Sequence, residues 1–173
     1  MAYLSPAEFV TKMVDTGEAK IHMSTRDTLI RAFMAGAILA LAAVFAVSAS
    51  VMSGSALIGA LLFPVGVCML YLLGFDLLTG VFMLTPLALL DKRPGVTVRG
   101  ILRNWGLVFV GNFLGALTVA GMMAFIFTYG FSVPPGEIGQ KIGHIGEART
   151  LGYAEYGLMG WSTLFLRGVL CNW

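Results

Sequence analysis

Two long stretches of this chain contain no Asp, Glu, Lys or Arg: the 44 residues 32–75 and the 33 residues 104–136. About 20 apolar residues suffice to cross the hydrocarbon core of a bilayer as a helix, and the core of a soluble domain cannot account for both runs. The chain is therefore read as an all-α integral membrane protein. Its 58% hydrophobic and 12% charged residues contrast with about 45–50% and 25% in ordinary soluble domains. The first 28 residues are polar and amphipathic, unlike a secretory leader, so insertion is expected to use the spans themselves.

The few charges report orientation. Lys12, Lys20, Arg26 and Arg31 precede the first apolar run, Lys92, Arg93, Arg99 and Arg103 fill the next charged loop, and only Lys141 and Arg149 lie in the loop after that. Basic residues mark the cytoplasmic side, so the N-terminus and the 91–103 loop are expected inside and the 130–153 loop outside. A net charge of +2 without a clustered basic face argues against nucleic-acid binding. Cys68 and Cys171 sit in apolar segments, where a disulfide framework is not expected. His and Cys residues are not at metal-ligand spacings, and there is no phosphate loop or serine elbow. Neither a metal, a cofactor nor an enzymatic activity is expected.

Along the chain, Ser5-Pro6-Ala7-Glu8 reads as a capping box opening an amphipathic helix over about 5–22. Spans are expected at about 28–52, 56–90, 104–133 and 154–173, in one membrane domain covering 1–173. Asn104-Trp105 is read as an interfacial start to the third span, with Gly111 and Gly115 as a small-residue packing face. The fourth span lacks a closing polar flank at Trp173, so the chain is expected to continue and the fold to be C-terminally incomplete. The second span is too long for one straight helix, and Gly74-Phe75-Asp76-Leu77-Leu78-Thr79-Gly80 has the composition of an interruption near mid-depth. Irregular backbone at that depth must be packed in protein or line a watered cavity, so the break points to a transport path.

A half-helix restarting within the membrane aims free N–H groups and a positive dipole end at the break, which favours a small anion. Thr79 is placed to cap that helix or to touch substrate. Asp76 is expected to accept hydrogen bonds from loop N–H groups or to pair with a cation. Asn112, and Asn172 likewise, suit hydrogen bonding across helices more than pore lining, and Arg167 is expected to snorkel or to contact another subunit.

The capped N-terminal helix, the segment Gly74 to Gly80, Asn104-Trp105 followed by Gly111-Asn112-Phe113-Leu114-Gly115-Ala116, and Arg167-Gly168-Val169-Leu170-Cys171-Asn172-Trp173, in this order, resemble the formate/nitrite transporter family. The resemblance implies an aquaporin-like fold with a broken second transmembrane helix, a homopentamer with one pore per subunit, and small monovalent anions, formate or nitrite, as cargo. It implies that Leu77, Leu78 and Thr79 form the loop near the central constriction, with Thr79 as its hydrogen-bonding threonine and Val67 as an apolar constriction residue. Gly74, Asp76 and Gly80 would shape that loop. Leu78 stands where phenylalanine is frequent, and Tyr156 where many members carry a lysine, leaving Lys141 and Arg149 as outer cations. The family's central histidine belongs to a later span; His22 and His144 lie in polar segments and do not replace it. The implied protein is a bacterial plasma-membrane transporter with a cytoplasmic N-terminus, proton-coupled in its full-length form. The alternative is a truncated, non-transporting membrane fragment or assembly subunit. A water channel of similar shape would require paired Asn-Pro-Ala caps, which are absent from this sequence.

Overall fold

The structure, a computed structural model, describes residues 4–171. Among these, seven α-helices and one 3₁₀ turn account for all regular structure: α1 Pro6–His22, α2 Thr25–Ser53, α3 Ala56–Leu72, α4 Leu78–Leu90, α5 Val98–Phe127, α6 Glu137–Ala148, the 3₁₀ turn Leu151–Tyr156, and α7 Gly157–Cys171. Both α2 and α5 are long and apolar enough to cross a membrane, whereas α3 and α4 are shorter apolar helices. Asn172 and Trp173 lie outside the described residues.

The chain divides into two compact units, Met1–Ala42 with Phe63–Ala120 and Ala43–Leu62 with Gly121–Trp173. In the first unit α1 opens with a capping box: the Glu8 N–H donates to Ser5 Oγ at 3.4 Å, and the Ser5 N–H donates to Glu8 Oε2 at 2.8 Å. The backbone bond from Ser5, reinforced by its hydroxyl, holds the Glu8 carboxyl below its ordinary pKa. A carboxylate depressed in this way contributes stability above its unfolded pKa and loses it as pH falls through the folded value. Acidification below about pH 4 is therefore expected to fray the first turn of α1, seen as faster amide exchange at Glu8 and Phe9. Glu8→Gln should abolish that pH dependence; an unchanged acid profile in the variant would refute the assignment.

The buried side of α1 is Val14, Gly17 and Ile21. Gly17 lies so close to the Leu84 carbonyl of α4 that a Cβ would strike it. Ile21 packs with Ala88, Val96 and Ile101, and a second cluster joins Ala32, Val81 and Val108; Trp105 packs against both. The acidic edge of α1 is tied to the α4–α5 loop by Arg93, which reaches Asp15 at 2.7 Å, Glu18 at 3.4 Å and Asp91 at 2.8 Å. Helices α2 and α5 approach through their backbones: a Cβ on Gly36 would meet the Asn112 carbonyl, one on Gly115 the Phe33 carbonyl, and one on Gly111 the Ala32 side chain.

Helix α5 opens at Val98 rather than near Asn104, because Thr97 Oγ1 accepts the Gly100 N–H at 3.1 Å and supplies the cap. Trp105 is consequently a turn inside the helix. It faces α4, where its Nε1–H is shared between Thr85 Oγ1 at 2.9 Å and the Val81 carbonyl at 3.2 Å, and Phe82 meets its ring edge-on at 4.7 Å. At its other end α5 stops at Phe127, and the chain leaves through Tyr129, Gly130 and Phe131, all with positive φ.

In the second unit the 130–153 segment, expected as an outer loop, contains a helix. Ile138, Ile142 and Ile145 recur on one face of α6, and these are its half-buried isoleucines while most of the remaining residues are exposed. The 3₁₀ turn packs on α7, with Gly160 against the Tyr153 carbonyl. Arg167 donates from Nη1 to Tyr153 Oη at 2.7 Å.

Candidate functional site

The segment between α3 and α4 concentrates the polar chemistry of the first unit. Helix α3 ends in a Schellman-type turn: the Phe75 N–H returns to the Leu70 carbonyl at 2.9 Å and the Gly74 N–H to the Tyr71 carbonyl at 3.1 Å. Gly74 has φ +71°, a conformation that disfavours any side chain. The turn leaves the Gly74 carbonyl free of the helix, and two cations approach it: Lys20 Nζ of α1 at 3.5 Å and Arg31 Nη1 of α2 at 3.3 Å.

Asp76 is 1% exposed. Its Oδ1 forms an ion pair with Lys20 Nζ, and its Oδ2 is buried without a hydrogen-bond partner. A buried carboxylate with one oxygen unsatisfied depends on its single counter-charge. The lysine is itself positioned through its backbone, since Asn104 Nδ2 of α5 donates to the Lys20 carbonyl at 3.0 Å. Three helices thus converge on this five-residue break between Leu72 and Leu78.

Asn112 closes the arrangement. Its Nδ2 donates to the Ala32 carbonyl of α2 and to the Asp76 carbonyl, both at 2.8 Å, while its Oδ1 accepts the Leu78 N–H at 2.9 Å. One side chain therefore joins α2, α5, the break and the first residue of α4. The N-cap position of α4 is Leu77, not Thr79. The helix can start there because Asn112 supplies from α5 the acceptor that a capping side chain would normally provide. Gly80 N–H reaches the Leu77 carbonyl at 3.0 Å. Among the described residues, neither the amide nor the hydroxyl of Thr79 has a hydrogen-bond partner, and its side chain is exposed. The start of α4 thus presents an unused N–H and an unused O–H at its positive dipole end.

Of the residues singled out in the sequence, Asp76, Leu78 and Asn112 meet directly, Gly74 joins Asp76 through Lys20, and Leu77, Thr79 and Gly80 form the start of α4. Gly111 and Gly115 lie on the buried stripe of α5 that faces α2. Val67 is half-buried in α3, apart from the Lys20–Asp76–Asn112 network. Lys20, Arg31 and Asn104 join the site in roles that the sequence reading did not give them. Lys20 and Arg31 had a signal there, because a buried acid in an apolar segment calls for a cation.

A profile of the formate/nitrite transporters matches residues 7–173. The chain is 30% identical over 182 residues to the uncharacterized transporter YrhG of Bacillus subtilis, covering 100% of this chain and 63% of that protein. It is 29% identical over 190 residues to a probable formate transporter of Methanothermobacter thermautotrophicus, covering 99% and 66%. Against the formate channel FocA of Haemophilus influenzae the identity is 30% over 178 residues, covering 98% and 57%. The chain thus spans just under two thirds, or less, of the length of these relatives.

Proposed function

This chain belongs to the formate/nitrite transporter family, and from that premise we propose that it carries formate or nitrite across a membrane through a pore within each subunit. The family is one of transporters and channels rather than enzymes, and the apolar helices α2 and α5 are those of a membrane protein. In this reading α3 and α4 are two halves of one interrupted crossing in an aquaporin-like fold. The subunit works in a homopentamer in a bacterial plasma membrane, with α1 on the cytoplasmic side and proton coupling in the full-length protein.

The observation that carries the reading is the start of α4. A helix N-terminus whose Thr79 N–H and O–H have no internal partner offers donors to an anion without first breaking a bond. The surrounding charges agree. Lys20 cancels Asp76, and Arg31 at the Gly74 carbonyl leaves a surplus positive charge beside the break. A bare carboxylate would repel such cargo; this one is neutralised. Leu77 and Leu78, each half-buried, supply the apolar flank of a narrow passage, where water is excluded unless an ion is well received. Val67 serves as a second apolar constriction on α3.

The experiment is anion flux in proteoliposomes containing the full-length protein. Formate or nitrite flux well above that of protein-free liposomes is expected, with no flux of sodium or potassium. Passage of water or glycerol without either anion would overturn the proposal.

A further inference from the structure

Helix α3 carries a tyrosine in its last turn. Tyr71 is 56% exposed, and among the described residues its hydroxyl has no hydrogen-bond partner. The phenol end of the ring lies against α4. A Cβ built on Gly80 would stand 3.2 Å from Tyr71 Oη, with the ring carbons Cε1 and Cζ at 3.9 and 4.0 Å. The hydroxyl therefore stands against Gly80, the residue that follows Thr79 in the first turn of α4. It reaches there because residue 80 has no side chain.

Two physical consequences follow. The phenol O–H is unused within the described residues, and it is at the same helix end as the unused N–H and O–H of Thr79. Together they form a set of neutral donors drawn from both halves of the interrupted pair. The ring also occupies space that a larger solute at that end of α4 would need, and Gly80 offers no side chain that could move aside.

We propose that Tyr71 is a specificity-determining residue of the path: its hydroxyl donates to the bound anion, and its ring limits the width of the passage at Gly80. The anions that fit are small and planar, with two oxygens on one atom, because one oxygen can accept from Tyr71 while the other accepts from Thr79. Carboxylates with a longer carbon tail are excluded by the ring. This inference rests on the transport reading given above.

The test compares formate and propionate flux in proteoliposomes of the full-length protein and two variants. Tyr71→Phe keeps the ring and removes the donor; formate flux is expected to fall about tenfold, as for the loss of one hydrogen bond to a charged acceptor, with propionate still excluded. Tyr71→Val removes the ring, and the propionate-to-formate ratio is expected to rise about tenfold. Gel filtration of each variant establishes that it is folded, and Tyr71→Phe preserves the packing should Tyr71→Val not fold. Formate flux in Tyr71→Phe within about twofold of the parent protein would overturn the role of the hydroxyl, and an unchanged ratio in folded Tyr71→Val the role of the ring. A parent protein that moves neither formate nor nitrite would instead overturn the transport reading itself.

Discussion

Asp76→Ala is expected to destabilise the protein by about 3–5 kcal/mol, the cost of removing one member of a buried ion pair, and to leave most of it aggregated on gel filtration in detergent. The lost attraction is only part of the effect. Lys20, whose side chain is 12% exposed against 0% for Asp76, would be left with only the Gly74 carbonyl, at 3.5 Å, to receive its ammonium group. Lys20→Met should be damaging for the converse reason, since it strands a carboxylate whose second oxygen already has no partner. The informative variant is the double one. Replacing both groups with apolar side chains removes the uncompensated charge, and buried pairs so replaced are often neutral or more stable. Recovery of most of the thermal stability in Asp76→Ala/Lys20→Met is therefore expected. Full stability in Asp76→Ala alone would show that the pair does not hold the break.

Gly115→Leu is expected to be the most damaging single change in α5, because its Cβ would fall on the Phe33 carbonyl and within 2.9 Å of the Ala37 nitrogen. Both are backbone atoms of α2 and cannot turn aside as a side chain could. The helices would have to separate, with a cost at or above the usual 1–3 kcal/mol of about one overpacked residue, and separation would break the bond from Asn112 to the Ala32 carbonyl, now 2.8 Å. Gly106 is the control. It lies in the same helix with nothing within 4 Å of a built Cβ, so Gly106→Ala should be neutral or add up to about 1 kcal/mol through helix propensity. Thermal unfolding of the two variants separates close approach from loss of backbone flexibility: equal midpoints would exclude the contact as the cause.

What the sequence revealed and what it did not divide along a physical line. Apolar runs, glycine clusters and capping residues act over a turn or two, so the helical class, the start of α1 at Ser5 and the packing stripe of Gly111 and Gly115 were legible. Partners distant in the chain were not. Thr79 had the chemistry of a cap, but Asn112, 34 residues away from Leu78, supplies the acceptor. Trp105 had the composition of an interfacial anchor, but its N–H finds Thr85 across the α4–α5 contact. Periodicity identifies a face without naming what meets it. In α6 the signal was local yet obscured, because Gly139, Gly143 and Gly146 alternate with the isoleucines and read as loop composition. Tyr71 gave no sign at all, since its position against Gly80 arises only when the chain turns at Gly74.

The attachment of Lys20 to the break also bears on how the protein is made. The lysine leaves the ribosome 56 residues before Asp76, so the pair cannot form until α2 and α3 have been made. Asp76 then emerges as a lone acid between the apolar helices α3 and α4, and its burial is costly until Lys20 of α1 reaches it. The first helix must therefore be docked before the break can bury its acid, and a chain deprived of α1 is expected to leave Asp76 without its counter-charge.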